Sequence, residues 1–357
     1  MLQAPKFPAA KTNFQTEVKR RVEGYFSENK ISSAGNRKLY VKTFIILSYF
    51  TAVYVALVFY TWPVAVSLLL CLALGVGVAA IGFNIMHDGA HGSFSESRSV
   101  NDLAANTLDM LGASSYMWKT KHNVVHHTYT NINGFDDDLN VRPLLRLAPE
   151  QKHLSIHRYQ HIYGIPLYGL LHIIWIVYKD FLKYYSGKIG NTPVRKMNLK
   201  EEIVFWGSKV SFLFFFVFVP VYMKGIWAYL IGFTVFSLST GMLISVVFQL
   251  AHVVGEVEFL LPDKDLNKME NEWAIHQVIS TANFANDNKL VTWFVGGLNF
   301  QIEHHLFPKV SHVHYPAISK IVKQTCAEFG VKYHEFATTR AAIAEHVAFL
   351  KRLGTAA

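Results

Sequence analysis

The stretch TFIILSYFTAVYVALVFYTWPVAVSLLLCLALGVGVAAIGFNIM, Thr43 to Met86, runs for 44 residues without one charged side chain. One transmembrane helix takes about 20 apolar residues, so the run is long enough for two crossings. The Thr61-Trp62-Pro63 interruption near its middle supplies the turn. The stretch therefore reads as a hairpin of two membrane helices, too long for a buried hairpin in a soluble domain. Gly75, Gly77 and Gly82 would let the second helix pack closely on a neighbour.

A second apolar pair follows, Ile203 to Met223 and Gly225 to Ala251, with Lys224 the only charge in the joining loop. Lys209 lies about two turns inside the third span, where its long stem would let it snorkel to the near interface. Hydrophobic residues make up 51% of the chain and aromatic residues 14%, and the mean hydropathy is +0.21. These values exceed those of ordinary soluble domains. Of 34 Lys and Arg, nine precede residue 43, thirteen lie between 87 and 201, and ten follow 251. With four spans all of these fall on one side, which the positive-inside rule makes the cytoplasm. Ile162 to Tyr178 is also charge-free, but it is 17 residues long and contains Pro166 and His172. A fifth span would put His304 and His305 across the membrane from the other histidine clusters, so the segment reads as re-entrant or interfacial.

The expected fold is all-α and integral to the membrane, with four transmembrane helices in two hairpins under a cytoplasmic helical cap. Its parts are a cytoplasmic segment 1–42 with an amphipathic helix, a hairpin 43–86, cap residues 87–201, a hairpin 202–251 and further cap 252–357. The amphipathic helix spans Phe14 to Asn29 and would lie on the membrane or against the cap. Further helices are expected from Pro316 to before Gly330 and from about Thr339 to Gly354. The formal charge of +9 comes without a Lys/Arg-rich, aromatic-interleaved module, so no nucleic-acid partner is expected. Cys71 and Cys326 form no CxxC and imply neither a disulfide framework nor a thiolate metal site. The polar, basic first 42 residues do not resemble a cleavable signal peptide.

Three histidine clusters carry the chemistry. HNVVHH holds His122, His126 and His127; HDGAH holds His87 and His91; QIEHHLFP holds His304 and His305. If helical, His122 and His126 share a face and His127 points about 100° away, so that one helix could serve two metal ions. Seven clustered histidines exceed the three or four ligands of a single zinc site, and HExxH is absent. The one Glu-x-x-His, Glu150 to His153, does not suffice for a soluble ferritin-like di-iron site, which needs two. His87 and His91 begin where the second span ends, and His252 stands at the exit of the fourth. Imidazoles without thiolate suit Fe, Zn, Cu or Ni. A metal carrier would need polar ligands inside the bilayer, whereas these histidines cluster outside nearly charge-free spans.

HDGAH, HNVVHHTYTN and, above all, GGLNFQIEHHLFP at Gly296 to Pro308 resemble the three histidine boxes of membrane fatty acid desaturases. The glutamine opening the third box resembles the front-end branch that includes linoleoyl-CoA (delta-6) type enzymes. The resemblance implies an O2-dependent oxidoreductase that places a cis double bond in an acyl chain of delta-5 or delta-6 type, reducing O2 to water. Related hydroxylases, acetylenases and epoxidases share the boxes. It further implies two iron ions held by His87, His91, His122, His126, His127, His304 and His305, with His252 in the position of an extra histidine. Gln301 stands where many relatives have histidine. Phe248, four residues before His252, replaces an asparagine of stearoyl-type enzymes. No HPGG haem motif occurs in the sequence, so electrons are expected from a separate ferredoxin or cytochrome b5. The acyl substrate would be an acyl-CoA, an acyl carrier protein thioester or a phospholipid. The expected setting is a bacterial cytoplasmic membrane, with the active site and both termini in the cytoplasm.

Outside the ligands, Asp88, Asn84, Glu303 and the run Asp136 to Asp138 are candidates to orient metal-bound imidazoles. His276 and Asn283 resemble positions near the site. Trp118, Trp273 and Trp293 are candidates to line an apolar substrate tunnel or to sit in an interfacial belt. His153, His157, His161, His172, His312, His314, His334 and His346 read as surface or interfacial residues.

Overall fold

The computed structural model describes residues 4–9, 12–263 and 265–356. In chain order the principal helices are α1 Phe14–Glu28, α2 Arg37–Phe59, α3 Val64–His91, α4 Arg98–Ala105 and α5 at 115–129. They continue as α6 Ser155–Tyr168, α7 Leu171–Ser186, α8 Leu199–Lys224 and α9 Ile226–His252. The chain closes with α10 Trp273–Ile279, α11 Lys289–Phe294, α12 Gln301–Leu306, α13 Tyr315–Glu328 and α14 Thr339–Thr355. Two pairs of two-residue strands add to the helices. One of them, Asn283–Phe284 beside Glu335–Phe336, ties the region before the third box to the C-terminal part.

Among the described residues α2, α3, α8 and α9 are long and apolar enough to cross a membrane. The first hairpin breaks at residues 60–63, with Pro63 just before α3 where its fixed φ suits a helix start. Asn198 and Glu201 start α8 with reciprocal side-chain to backbone hydrogen bonds of 3.0 and 2.8 Å. Gly225, at φ 80°, is the whole turn between α8 and α9. Large apolar side chains such as Phe44, Leu69, Val210 and Trp227 point outward from these helices, as a lipid-facing surface requires. α3 packs against both α2 and α9. A Cβ on Gly75 would collide with Ser239 of α9, and one on Gly77 would press on Phe50 of α2 at 3.3 Å. Gly82 faces open space, so only two of the three glycines serve close packing.

Residues 162–178 do not form a straight helix. α6 and α7 meet at 71°, Pro166 lies in the last turn of α6, and Ile162, Val177 and Tyr185 are exposed. The bend packs against α9, where Gly241 meets the backbone of Gly169. α1 docks its apolar face on the cap: Phe14, Val18 and Val22 are buried with Val278, Ile318 and Val322.

Two expectations are corrected by packing. Lys209 does not snorkel, because Asp180 and the Gly112 carbonyl reach it first. Its Nζ bonds Asp180 at 2.8 Å and the Gly112 oxygen at 2.6 Å. Asp180 also accepts the Ser114 amide at 2.7 Å, so this buried pair fixes the start of α5 to the third span. Five of the histidines expected at the surface or an interface are interior: His157, His172, His312, His314 and His346 are all buried. His346, for example, is held by the Val253 carbonyl at 2.6 Å and the Tyr168 hydroxyl at 2.8 Å. Breaking one half of a buried ion pair costs about 3–5 kcal/mol. Asp180→Ala is therefore expected to lower resistance to unfolding in detergent more than the double change Asp180→Leu/Lys209→Met does; equal losses would contradict the pairing.

Candidate metal centre

The end of α3 is the first wall of the site. The helix carries a wider i to i+5 turn over Gly82–Met86 before it resumes as His87–His91 and stops at Gly92, whose φ is 75°. The wider turn sets the angle at which His87 and His91 leave the span. The third box is brought against this turn by a glycine pair. Gly296 and Gly297 have φ of 60° and 69°, and a Cβ on Gly296 would strike the Phe83 carbonyl. Asn84 completes the junction by donating to the Phe294 carbonyl at 2.9 Å.

The second box departs from the helical wheel. Thr120–His126 is π-helical, not α-helical. The wider turn brings residues five apart together, so His122 and His127 meet with their Nε2 atoms 3.2 Å apart. His127 is not turned away from His122. His122 and His126 still stack at 5.3 Å by ring centres, and each also joins a different group of histidines.

Four sets of side chains place one donor atom each within 4.8 Å of one another. His87, His91, His122 and His304 form one; His126, His252 and His305 form a second. His127 stands with His304 and His305, between the two, and the fourth set is His122, His126 and Asp138. All seven box histidines and His252 are buried. His127 Nε2 is 3.0 Å from His304 Nε2 as well as 3.2 Å from His122 Nε2. A ring nitrogen carries either one hydrogen or one lone pair, so the His127 Nε2 cannot make an ordinary two-centre hydrogen bond to both neighbours. His91 Nε2, His126 Nε2, His305 Nε2 and His252 Nδ1 have no hydrogen-bond partner. Buried nitrogens left this way are costly unless a cation takes them, so the residues present fit a metal pair.

Protonation agrees. Burial pushes His122, His127, His304 and His305 well below the ordinary imidazole value, and neighbouring imidazoles add to it. Neutral rings keep their lone pairs at pH 7. His126 moves the other way: burial lowers it, but the charges of Asp136 and Asp138 and the Asp136 hydrogen bond outweigh burial.

Three groups orient the rings. Asp136 accepts from His126 Nδ1 at 3.0 Å, and His126 Nε2 is left without a partner. Gln277 accepts from His305 Nδ1 at 2.8 Å and is itself fixed by the Thr130 hydroxyl at 2.9 Å. Tyr315 touches His304 Nδ1 at 3.2 Å. Of these, only Asp136 stood out in the sequence. Gln277 and Tyr315 carry no spacing signal, although Gln277 follows His276 directly.

The other candidates take different partners. Asp88 accepts from the Ser311 hydroxyl at 2.7 Å and lies 3.0 Å from His312 Nδ1. Glu303 accepts from Asn283 and Tyr333 at 2.8 Å each, and burial raises its carboxyl to about 7. Asn84, as above, bonds backbone. None of the three touches a box histidine by hydrogen bond; each fastens the segment that bears one. His276 does the same through the Thr130 carbonyl at 2.8 Å. Gln301 does reach the site, with its amide nitrogen 2.9 Å from His252 Nε2 and its oxygen unpartnered. Trp118 stacks on His122 at 4.3 Å, Trp273 donates to the His127 carbonyl at 3.1 Å, and Phe248 lies 4.6 Å from His252 by ring centres. Trp293 is outside the cluster, under the Lys42 ammonium.

The fatty acid desaturase family model matches residues 60–337. The chain is 36% identical over 347 residues to the sn-1 linoleoyl-lipid 6-desaturase of Synechocystis sp., covering 97% of both proteins. It is 38% identical to the protein of that name from Arthrospira platensis, over 95% of this chain and 92% of the relative. It is also 39% identical to the Acyl-lipid (8-3)-desaturase of Physcomitrium patens, over 97% of this chain and 72% of the relative. With its histidine clusters gathered around His91 and His252 at the ends of two apolar helices, the chain belongs to the fatty acid desaturase family and is a membrane oxidoreductase.

Proposed function

We propose that the protein is an O2-dependent, di-iron, front-end desaturase acting on the acyl chain of a membrane lipid. The observation that carries this reading is the pair of buried imidazole groups, one around His87, His91, His122 and His304 and one around His126, His252 and His305, with lone pairs unsatisfied in both. The relatives named as acyl-lipid desaturases favour a lipid-bound acyl chain over a soluble thioester. Two irons, when bound, would supply the O2 chemistry that removes hydrogen from adjacent methylenes.

The chain's own residues do the rest. Asp136, Gln277 and Tyr315 fix ring orientation and choose which nitrogen of His126, His305 and His304 is free. Trp118 and Phe248 place flat apolar surface against the imidazoles. Unactivated methylenes offer nothing polar to hold, so shape and exclusion of water must position them. The bent α6–α7 segment is taken as re-entrant or interfacial, with the box side and both ends of the chain cytoplasmic, a reading that the Lys and Arg distribution supports. A ferredoxin or cytochrome b5 type protein is the proposed electron donor, with a bacterial cytoplasmic membrane as the proposed location.

Expression in a host that lacks the product, followed by mass-spectrometric location of the double bond, tests this directly. The expected product has a new cis bond between an existing bond and the carboxyl end. A hydroxylated product, or a new bond only on the methyl side, would contradict it.

A further inference from the structure

A cleft of about 520 Å³ opens beside the first box, with His91 and the backbone of Gly89–Gly92 in its lining. Ligand sites commonly measure about 300–1,000 Å³, so size admits a ligand, but the lining is polar and does not suit an acyl chain. Two features say what it does suit. The first is position. One wall, Ser32 to Ala34, immediately precedes α2, and another is the end of α3. The cleft therefore sits at the mouths of two membrane helices, at the level of lipid head groups. Leu103 on α4, the residue after the lining Asp102, is an exposed apolar side chain. The second feature is charge. Lys119 is paired with Asp102 at 3.2 Å, whereas the rim residues Arg98 and Lys309 are exposed and have no anionic partner among the described residues. Glu96 offsets one of them, which leaves the cleft with a net positive charge.

We propose that this cleft, between Arg98 and Lys309 and above His91, holds the phosphate-bearing head group of the membrane lipid whose acyl chain is oxidised at the metal pair. The inference rests on the desaturase reading and names its substrate class. A front-end product has its new bond close to the carboxyl end, so the ester and head group must lie only a few carbons from the metal. A polar cleft with His91 in its lining meets that demand. Arg98 offers a forked donor for phosphate oxygens, and Lys309 offers a point charge.

The test uses the full-length, iron-loaded protein in vesicles with a reduced donor supplied. Three substrates carry the same linoleoyl chain: phosphatidylglycerol, monogalactosyldiacylglycerol and the CoA thioester. Wild-type protein is expected to prefer phosphatidylglycerol over the galactolipid in kcat/KM. Arg98→Ala/Lys309→Ala is expected to reduce that preference about tenfold through KM, since an exposed ion pair is worth about threefold and two are lost. Arg98→Lys should restore part of it. Equal turnover of the two lipids by wild type, or an unchanged preference in the variant, would overturn the proposal. A KM rise confined to linoleoyl-CoA would assign the phosphate to a soluble thioester and overturn the membrane-lipid assignment. No turnover of any of the three would overturn the desaturase reading itself, a failure distinguishable from a wrong head group.

Discussion

His305→Ala and His126→Ala should each reduce desaturation below about 1% of wild type while the protein still inserts with all four apolar helices. Loss of a residue that merely orients a metal-bound imidazole costs about 10–100-fold, and removal of a ligand must cost more. Both rings are wholly buried in the second imidazole group, and each has one nitrogen fixed by a neighbour and the other free. Neither lies in a membrane helix, so insertion does not depend on them. Asp136→Ala should fall between, down about 10–100-fold, because it leaves His126 in place without its acceptor. Activity assays with quantification of membrane-inserted protein check both. Loss of insertion, or an Asp136 effect larger than that of His126, would assign these residues to folding.

Gln301 should be the next most sensitive position. Its amide lies 2.9 Å from His252 Nε2, so it decides which nitrogen of His252 carries the hydrogen and which is left free. His252 Nδ1 and the Gln301 oxygen both lack partners. Gln301→Ala removes the amide altogether and should cost about 10–100-fold in kcat. Gln301→His should retain part of the activity, because imidazole can donate or accept at the same place. Near-normal turnover of Gln301→Ala would remove the residue from the site.

The membrane helices were legible because charge-free length is a direct physical requirement of crossing a bilayer. Thr43 to Met86 resolves into α2 and α3 with the break at Thr61 to Pro63. The box residues were legible too, since imidazole density has few other causes. What the sequence hid was local backbone geometry. HNVVHH was read with an α-helical wheel, which separates His127 from His122, whereas the π-helical turn joins them. No residue in Thr120–His126 announces that turn. Partners from distant segments were equally hidden. Gln277 meets His305 across 28 residues, and Asp180 meets Lys209 across 29. Asp88 and Glu303 are adjacent to box histidines in sequence, but on a helix the next residue points about 100° away. They accordingly face Ser311 and Asn283 instead.

Whether these imidazoles hold two irons is measured directly by metal analysis of the purified full-length protein, with protein concentration from amino-acid analysis. About two irons per chain are expected in the wild type and a lower content in both His305→Ala and His91→Ala, which belong to different groups. One zinc per chain with no iron, or two irons undiminished in both variants, would contradict the di-iron assignment.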